Sequence, residues 1–518
     1  MAKGIGIGID FGTTNSLVCV DRGEEKVMPL FEDRRPHPSA VWCGPSIEVS
    51  NVAKKRIEVC NVAKKRISET NAVGAAGVRS IKRYLADGNR PLLPLHPNAD
   101  SYGRVDPVEI AGEVFLHLAS HFKENMPRGV LESAVVTVPV GFGADARRNI
   151  AAAANRAGIE VVQFVHEPLA ALVGWFRELL GPGLHPIEDG NYVVVDWGGG
   201  TLDICVVRAK RNKLVQTGIA DLRDEAGDSF DESLARLAQE RFAAEHGLLA
   251  DSVAVSPVVK ARLIEQCEQA KITLSLDEKA NIAVADFADV NGRPKELIQS
   301  LSRKDFEGLI ASTVKRGIGA LQSALNRAEI VPSDVRAVLL VGGTANIPLI
   351  QQEVANVFGV EKVRIMRDLK GQTLIAEGAA TIAQCGARSY LAESISLDTV
   401  VGPHTIFPEG SLLPTQGQHR VVLAVTDPRS GAAYLRLSQR REHSTSRSVP
   451  QIVDLQVPVR KATPSAYEPL EEVTMNAIIT REFVLELEAT GSFAGKKVRG
   501  EGHELLFGID LGGRDAND

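Results

Sequence analysis

The run Ile5-Gly6-Ile7-Gly8-Ile9-Asp10-Phe11-Gly12-Thr13-Thr14-Asn15-Ser16 sets the terms for the rest of the chain. An apolar strand ends in a carboxylate, and a glycine turn carrying hydroxyls follows at once. Glycine lets backbone approach a phosphate closely, and backbone N–H groups and threonine hydroxyls can donate to its oxygens. Asp10 at the strand end suits the water shell of Mg²⁺, which keeps several waters and favours carboxylates around them. The same chemistry returns at Tyr192-Val-Val-Val-Asp196-Trp197-Gly198-Gly199-Gly200-Thr201-Leu202-Asp203. One such turn could be an ordinary hairpin. Two, each after a short apolar strand, predict two similar lobes facing one nucleotide.

Two further segments fit this scheme. Val338-Leu-Leu-Val-Gly342-Gly343-Thr344-Ala-Asn346-Ile-Pro348 reads as strand, double glycine and helix start, where a flat ring or ribose can lie on backbone. Lys260 to Leu274 reads as a helix with an apolar stripe at Leu263, Ile264, Cys267, Ala270 and Leu274. Glu268, Lys271 and Ser275 share another face of it. Alone, that face reads as a solvated one.

Composition bounds the alternatives. With 518 residues, the chain has room for about three compact units. Its 44% apolar content is that of a soluble globular protein, and its net charge of −6 disfavours nucleic acid as the main partner. Six cysteines at 19, 43, 60, 205, 267 and 385 form no C-x-x-C pair, so neither a zinc site nor a disulfide framework is indicated. The N-terminal apolar run is too short and broken for a signal peptide or a span, and no run of about 18 apolar residues follows. These readings predict a cytoplasmic protein with no membrane partner.

Residues 1–388 alternate strand-like and helix-like runs, which predicts layered α/β architecture. From about residue 403 the runs are short and β-rich, for example Val421-Thr426, Ala432-Ser438, Val473-Thr480 and Phe483-Ala489, so 403–518 reads as a small β-sandwich-like domain. Residues 389–402 read as the linker. The heptapeptide NVAKKRI occurs at 51–57 and again at 61–67. It reads as a solvated basic helix or loop, with a basic docking patch as the sharper alternative. Trp42, Trp175 and Trp197 read as core or cleft-wall residues.

As a set, in this order and spacing, these segments resemble the actin, sugar-kinase and heat-shock ATPase superfamily, and within it the DnaK-type 70-kDa heat-shock family. Val135-Val-Thr-Val-Pro139 with Asp145, Arg147 and Arg148 resembles that family's connecting segment. Ser80-Ile81-Lys82-Arg83 resembles the segment of its catalytic lysine, His166-Glu167-Pro168-Leu-Ala-Ala its Asn-Glu-Pro-x-Ala-Ala segment, and Glu268-x-x-Lys271-x-x-Leu-Ser275 its adenosine helix. The resemblance covers about 1–388. It implies a two-lobed, actin-like (ribonuclease H-like) ATPase domain that binds ATP or ADP with Mg²⁺ and hydrolyses ATP slowly.

Carried over residue by residue, the resemblance implies that Asp10, Glu167 and Asp196 hold the metal through water. Lys82 would orient the attacking water. Gly12, Thr13, Thr14, Asn15, Thr201 and Gly198–Gly200 would take the phosphates. Gly227, Glu268, Lys271, Ser275, Gly342, Gly343, Thr344 and Asn346 would hold ribose and adenine. Pro139 and Arg147 would report nucleotide state. The partners it implies are an extended or unfolded polypeptide, a J-domain co-chaperone and a nucleotide-exchange factor. Three departures qualify this. Ile272 and Asn346 replace two arginines that stack on adenine in the family. No long helical region follows the β-rich tail, so no lid is expected. Only Ser394-Ile-Ser-Leu-Asp398 matches, weakly, the leucine-rich coupling linker. A nucleotide-sensing regulator with one dedicated partner is the competing reading. A small-molecule kinase lacks an aspartate base here, and a filament former would not carry the trailing β domain. His166 reads as a hydrogen-bonded neighbour of Glu167 rather than a ligand.

Overall fold

The computed structural model describes residues 4–512 apart from 24–25, 33, 50–51, 60–75, 79, 87–92, 95–103, 128, 183, 185–186, 441–450, 462–469 and 504. Lobe I is built on β1 (Gly6–Phe11), β2 (Asn15–Asp21), β3 (Met28–Leu30), β4 (His37–Pro38), β5 (Ser133–Val138) and β6 (Glu160–His166). The order is β6-β5-β1-β2-β3, with β4 also on β2. β1 runs antiparallel to β2 and parallel to β5, placing Asp10 beside Thr137. Lobe II repeats the plan with β7 (Gly190–Trp197), β8 (Thr201–Lys210), β9 (Lys213–Arg223), β10 (Val335–Val341) and β11 (Val363–Ile365), in the order β11-β10-β7-β8-β9. β7 is antiparallel to β8 and parallel to β10, so Asp196 stands across from Asp203. The two-lobed reading is what the topology shows.

Helices cover these sheets: α1 (Pro107–Asn125), α2 (Ala144–Arg156), α3 (Glu167–Leu180), α4 (Gly227–Glu245), α5 (Pro257–Leu276), α6 (Arg303–Ala328), α7 (Pro348–Phe358) and α8 (Asp368–Cys385). The alternating glycines of β1 have a packing reason. A Cβ at Gly8 would lie 2.2 Å from the Ala380 backbone nitrogen, so α8 rests directly on the strand. α8 crosses α3 as closely: a Cβ on Gly378 would come 1.8 Å from the Ala170 carbonyl. Asp21 of β2 binds Arg177 of α3 and Thr381 of α8 in a fully buried knot.

The β-rich tail forms two four-stranded sheets. One holds β13 (Ser394–Thr399), β14 (Gly402–Phe407), β16 (Ala432–Arg440) and β17 (Gln451–Pro458). The other holds β15 (His419–Ala424), β18 (Glu472–Ile479), β19 (Leu485–Gly491) and β20 (Lys497–Gly502). Strict in-out alternation along β18 and β19 buries Val473, Met475, Ala477, Ile479, Leu485 and Leu487 between the sheets.

Two features depart from the sequence reading. The segment 389–402, expected as a linker, carries strands. β12 (Ser389–Leu391) pairs with β21 (Phe507–Asp510), which pairs with β9, so both extend the lobe II sheet. The first NVAKKRI copy is not helix or loop: strand Val52–Val59 pairs antiparallel with Val41–Val49. The second copy lies outside the described residues. Among the described residues, no helix is long and apolar enough to cross a membrane.

Candidate functional site

β1 and β7 each carry a carboxylate one residue before their ends, and the two converge with three further charged groups. Lys82, in the 3₁₀ turn Ile81–Leu85, is buried and donates to Glu167 Oε1 at 2.5 Å. Glu167 opens α3 directly after β6. Thr137 donates to Asp10 Oδ1 at 2.8 Å. Asp203 accepts from the Val140 amide at 2.7 Å through one oxygen, while its buried Oδ2 has no hydrogen-bond partner.

The electrostatics of this ring follow from its composition. Burial, then the charge of Glu167, pushes the Asp10 carboxyl up to about 7, against the pull of Lys82 and Thr137. Burial, then Glu167, also lifts Asp203 to about 7 despite hydrogen bonds from Thr201 and Val140. Asp196 is pushed well above the usual range by burial and then by Glu167, Asp203 and Asp10. Three buried carboxyls and the half-buried Asp10 against one ammonium make a site that favours a cation. The donor set is all oxygen, as a hard divalent ion requires, and the orphaned Asp203 oxygen points the same way.

Above the ring, the two glycine turns face each other. A Cβ at Gly199 would lie 2.2 Å from Thr14 Oγ1, and one at Gly200 would lie 2.7 Å from Thr13 Cγ2. A side chain at either position would displace the threonine side chain opposite it. Gly12 is equally confined, with the Asn15 carbonyl 2.1 Å from an added Cβ. Gly342, at φ +88°, abuts Asp196 and the Trp197 carbonyl. Thr344 donates to the Gly198 carbonyl, and the Gly227 amide donates to the same oxygen. Ser80 and Arg83 of lobe I reach Asp228 and Asp224 of lobe II, closing one side.

A cleft of about 970 Å³ opens beside these turns, lined by Thr14, Asn15, Gly199, Glu268, Lys271, Ser275, Gly343, Thr344 and Asn346. α5 supplies its outer wall, and its buried stripe is Leu263, Cys267, Ala270 and Leu274, with Ile264 half-buried. Asp10, Lys82, Glu167 and Asp196 do not line this cleft. Ile272, half-exposed, and Asn346 both line the cleft.

A model of the Hsp70 protein family matches residues 6–402. The chain belongs to the 70-kDa heat-shock protein family. Its actin-like two-lobed fold followed by a β domain is that of an Hsp70, and its function is of the nucleotide-binding, chaperone type. Members of the Hsp70 family are generally ATPases that bind ATP or ADP with Mg²⁺.

Sequence reasoning assigned no role to Asp203 or Asp231, although the first was quoted with its loop. Strand alternation was the available signal: Asp203 lies two residues past Thr201, on the same face of β8 and across from Asp196. Asp231, one turn into α4, binds Lys271 at 2.7 Å, and Lys271 also donates to the Gly227 carbonyl. Lys271 therefore braces α5 against α4. The ring nitrogens of His166 are engaged by Arg147 at 3.2 Å and Gln216 at 3.0 Å rather than by the carboxyls. Burial, then the Arg147 charge, holds its pKa well below the usual value, so it is neutral.

Proposed function

We propose that this Hsp70 binds ATP with Mg²⁺ between its lobes, hydrolyses it slowly, and couples nucleotide state to an extended or unfolded polypeptide. The observation that carries the reading is the ring of half-buried Asp10 and buried Glu167, Asp196 and Asp203 around buried Lys82, under two opposed glycine turns. Mg²⁺ held by Asp10, Glu167 and Asp196 through water would offset the ring's charge and screen the phosphates. Thr13, Thr14, Thr201 and the Gly199 and Gly200 amides would donate to phosphate oxygens, while the Gly198 amide holds the turn by donating to the Thr201 carbonyl. Glu167 fixes the Lys82 ammonium where it can orient water and receive charge developing on the terminal phosphate. Glu268, Ser275, Gly342, Gly343 and Asn346 offer the adenosine end its wall.

Single-turnover ATP hydrolysis with Mg²⁺, compared among the native chain, Lys82→Ala and Thr201→Ala, tests the catalytic part. The native chain should turn over, and each variant should lose about two to three orders of magnitude. Native-like turnover in Lys82→Ala would remove the lysine from the mechanism.

A second reading, a nucleotide-sensing regulator with one dedicated protein partner, is favoured by one observation. The β domain is strapped to lobe II through β12 and β21, instead of hanging on a free linker. Hydrolysis stimulated by many apolar peptides supports the chaperone cycle. Hydrolysis blind to peptide supports the regulator.

A further inference from the structure

Away from the nucleotide cleft, the turn between β3 and β4 meets α1 through two histidines and a glutamate. Glu32 is held by a tight turn in which its amide and carbonyl both bond to Arg35. His37 on β4 is fully buried, and His117 reaches it from α1. His37 Nδ1 lies 3.2 Å from His117 Nε2. Glu32 Oε2 stands 3.5 Å from the first and 3.7 Å from the second.

The two rings stand within hydrogen-bond distance of each other, but the carboxylate oxygen lies beyond the roughly 3 Å of a hydrogen bond to either. Glu32 Oε2 is buried and makes no hydrogen bond. A tetrahedron of donors about 2.0–2.1 Å from a common centre has edges of about 3.3–3.4 Å, close to the three observed. The supporting contacts fit as well. His37 Nε2 meets the Leu30 carbonyl at 3.0 Å, which places the ring proton there and leaves the Nδ1 lone pair facing His117 and Glu32. His121, one turn after His117, holds the Phe31 carbonyl at 2.9 Å and fixes the other side of the turn.

We propose that Glu32, His37 and His117 form a binding site for a divalent cation of the zinc class, joining the β3–β4 turn to α1. Two imidazole nitrogens and one carboxylate oxygen suit Zn²⁺ and not Mg²⁺ or Ca²⁺, which prefer oxygen alone. His117 is 24% exposed, so a water completes the fourth position from the solvent side. The site also bears on the phosphate turn. Two residues after His37, the Ser39 amide donates to the Thr14 carbonyl and the Ser39 hydroxyl to the Gly12 carbonyl. A cation on His37 therefore stiffens the strand that carries these two bonds.

Co²⁺ titration of the chelator-stripped full chain, with excess Mg²⁺ to saturate the carboxylate ring, tests the site. The expected result is about one equivalent of Co²⁺ with the strong visible bands of four- or five-coordinate geometry, displaced by Zn²⁺. His117→Ala and Glu32→Gln should each weaken binding by about a hundredfold or more, beyond the loss typical of a supporting contact. Only the faint spectrum of the hexa-aqua ion with the native chain would overturn the proposal. So would strong bands that survive in both variants, since the cation would then lie elsewhere.

Discussion

Asp10 and Asp203 both titrate at about 7, far above the unfolded value of 3.8. The native fold therefore holds protons that the unfolded chain releases above about pH 4, and cation-free stability falls as pH rises from there through 7. A divalent cation competes with those protons. Mg²⁺–nucleotide binding should release protons near pH 6.5 and tighten as pH rises to about 8. Calorimetry in two buffers of different ionisation enthalpy reads the release directly, and no buffer dependence would mean that these carboxyls are not displaced by the ion. At the adenine end, Ile272 offers no guanidinium. Ile272→Arg should restore about 0.5–2 kcal/mol of stacking, a roughly two- to thirtyfold tighter ADP constant by calorimetry. An unchanged constant would show that the ring does not lie over this residue.

Among the elements, the α3–α8 crossing is the tightest contact that glycine permits. Gly378→Ala would drive a methyl onto the Ala170 carbonyl and should destabilise the fold by about 3 kcal/mol, visible as a lower urea midpoint with unchanged slope. The elements around the phosphate turns were legible in the sequence because apolar strands, carboxylate and glycine follow one another within a dozen residues. α5 was legible from its stripe at helical spacing. The strand Val52–Val59 was not, since a run of lysine and arginine carries no strand signal until Val41–Val49 lies beside it. β12 was hidden for a related reason. Its partner in the ladder, β21, begins 116 positions after β12 ends (507 against 391), and no local pattern reports such a pairing. Asp203 was visible but unassigned, because its meaning depends on Asp196 standing opposite across the hairpin.

In the whole molecule, the ATPase lobes and the β domain share more than one strap. Phe507 on β21 packs against His166 and Phe483, with ring centroids 4.5 and 4.8 Å apart. Arg147 donates to the Glu482 carbonyl, and Arg148 binds Glu486 and Glu501. These contacts place the β domain against the end of β6, whose next residue is Glu167. Phe507→Ala should cost about 3–5 kcal/mol and expose the segment 385–395 to limited proteolysis. Resistance equal to the native chain would mean that the polar contacts alone hold the domain.

The pairing of β21 with β9 and β12 also has a consequence for biosynthesis. As the ribosome delivers the chain in order, lobe II can form its sheet from β7 to β11, yet the Lys213–Val215 stretch of the β9 edge stays unpaired until Phe507–Asp510 emerges. Some 284 residues separate the end of β9 from the start of β21 (507 against 223), so this closure comes late and at high contact order. During that interval the nascent Hsp70 displays a bare strand edge, the very kind of surface that invites association with other chains.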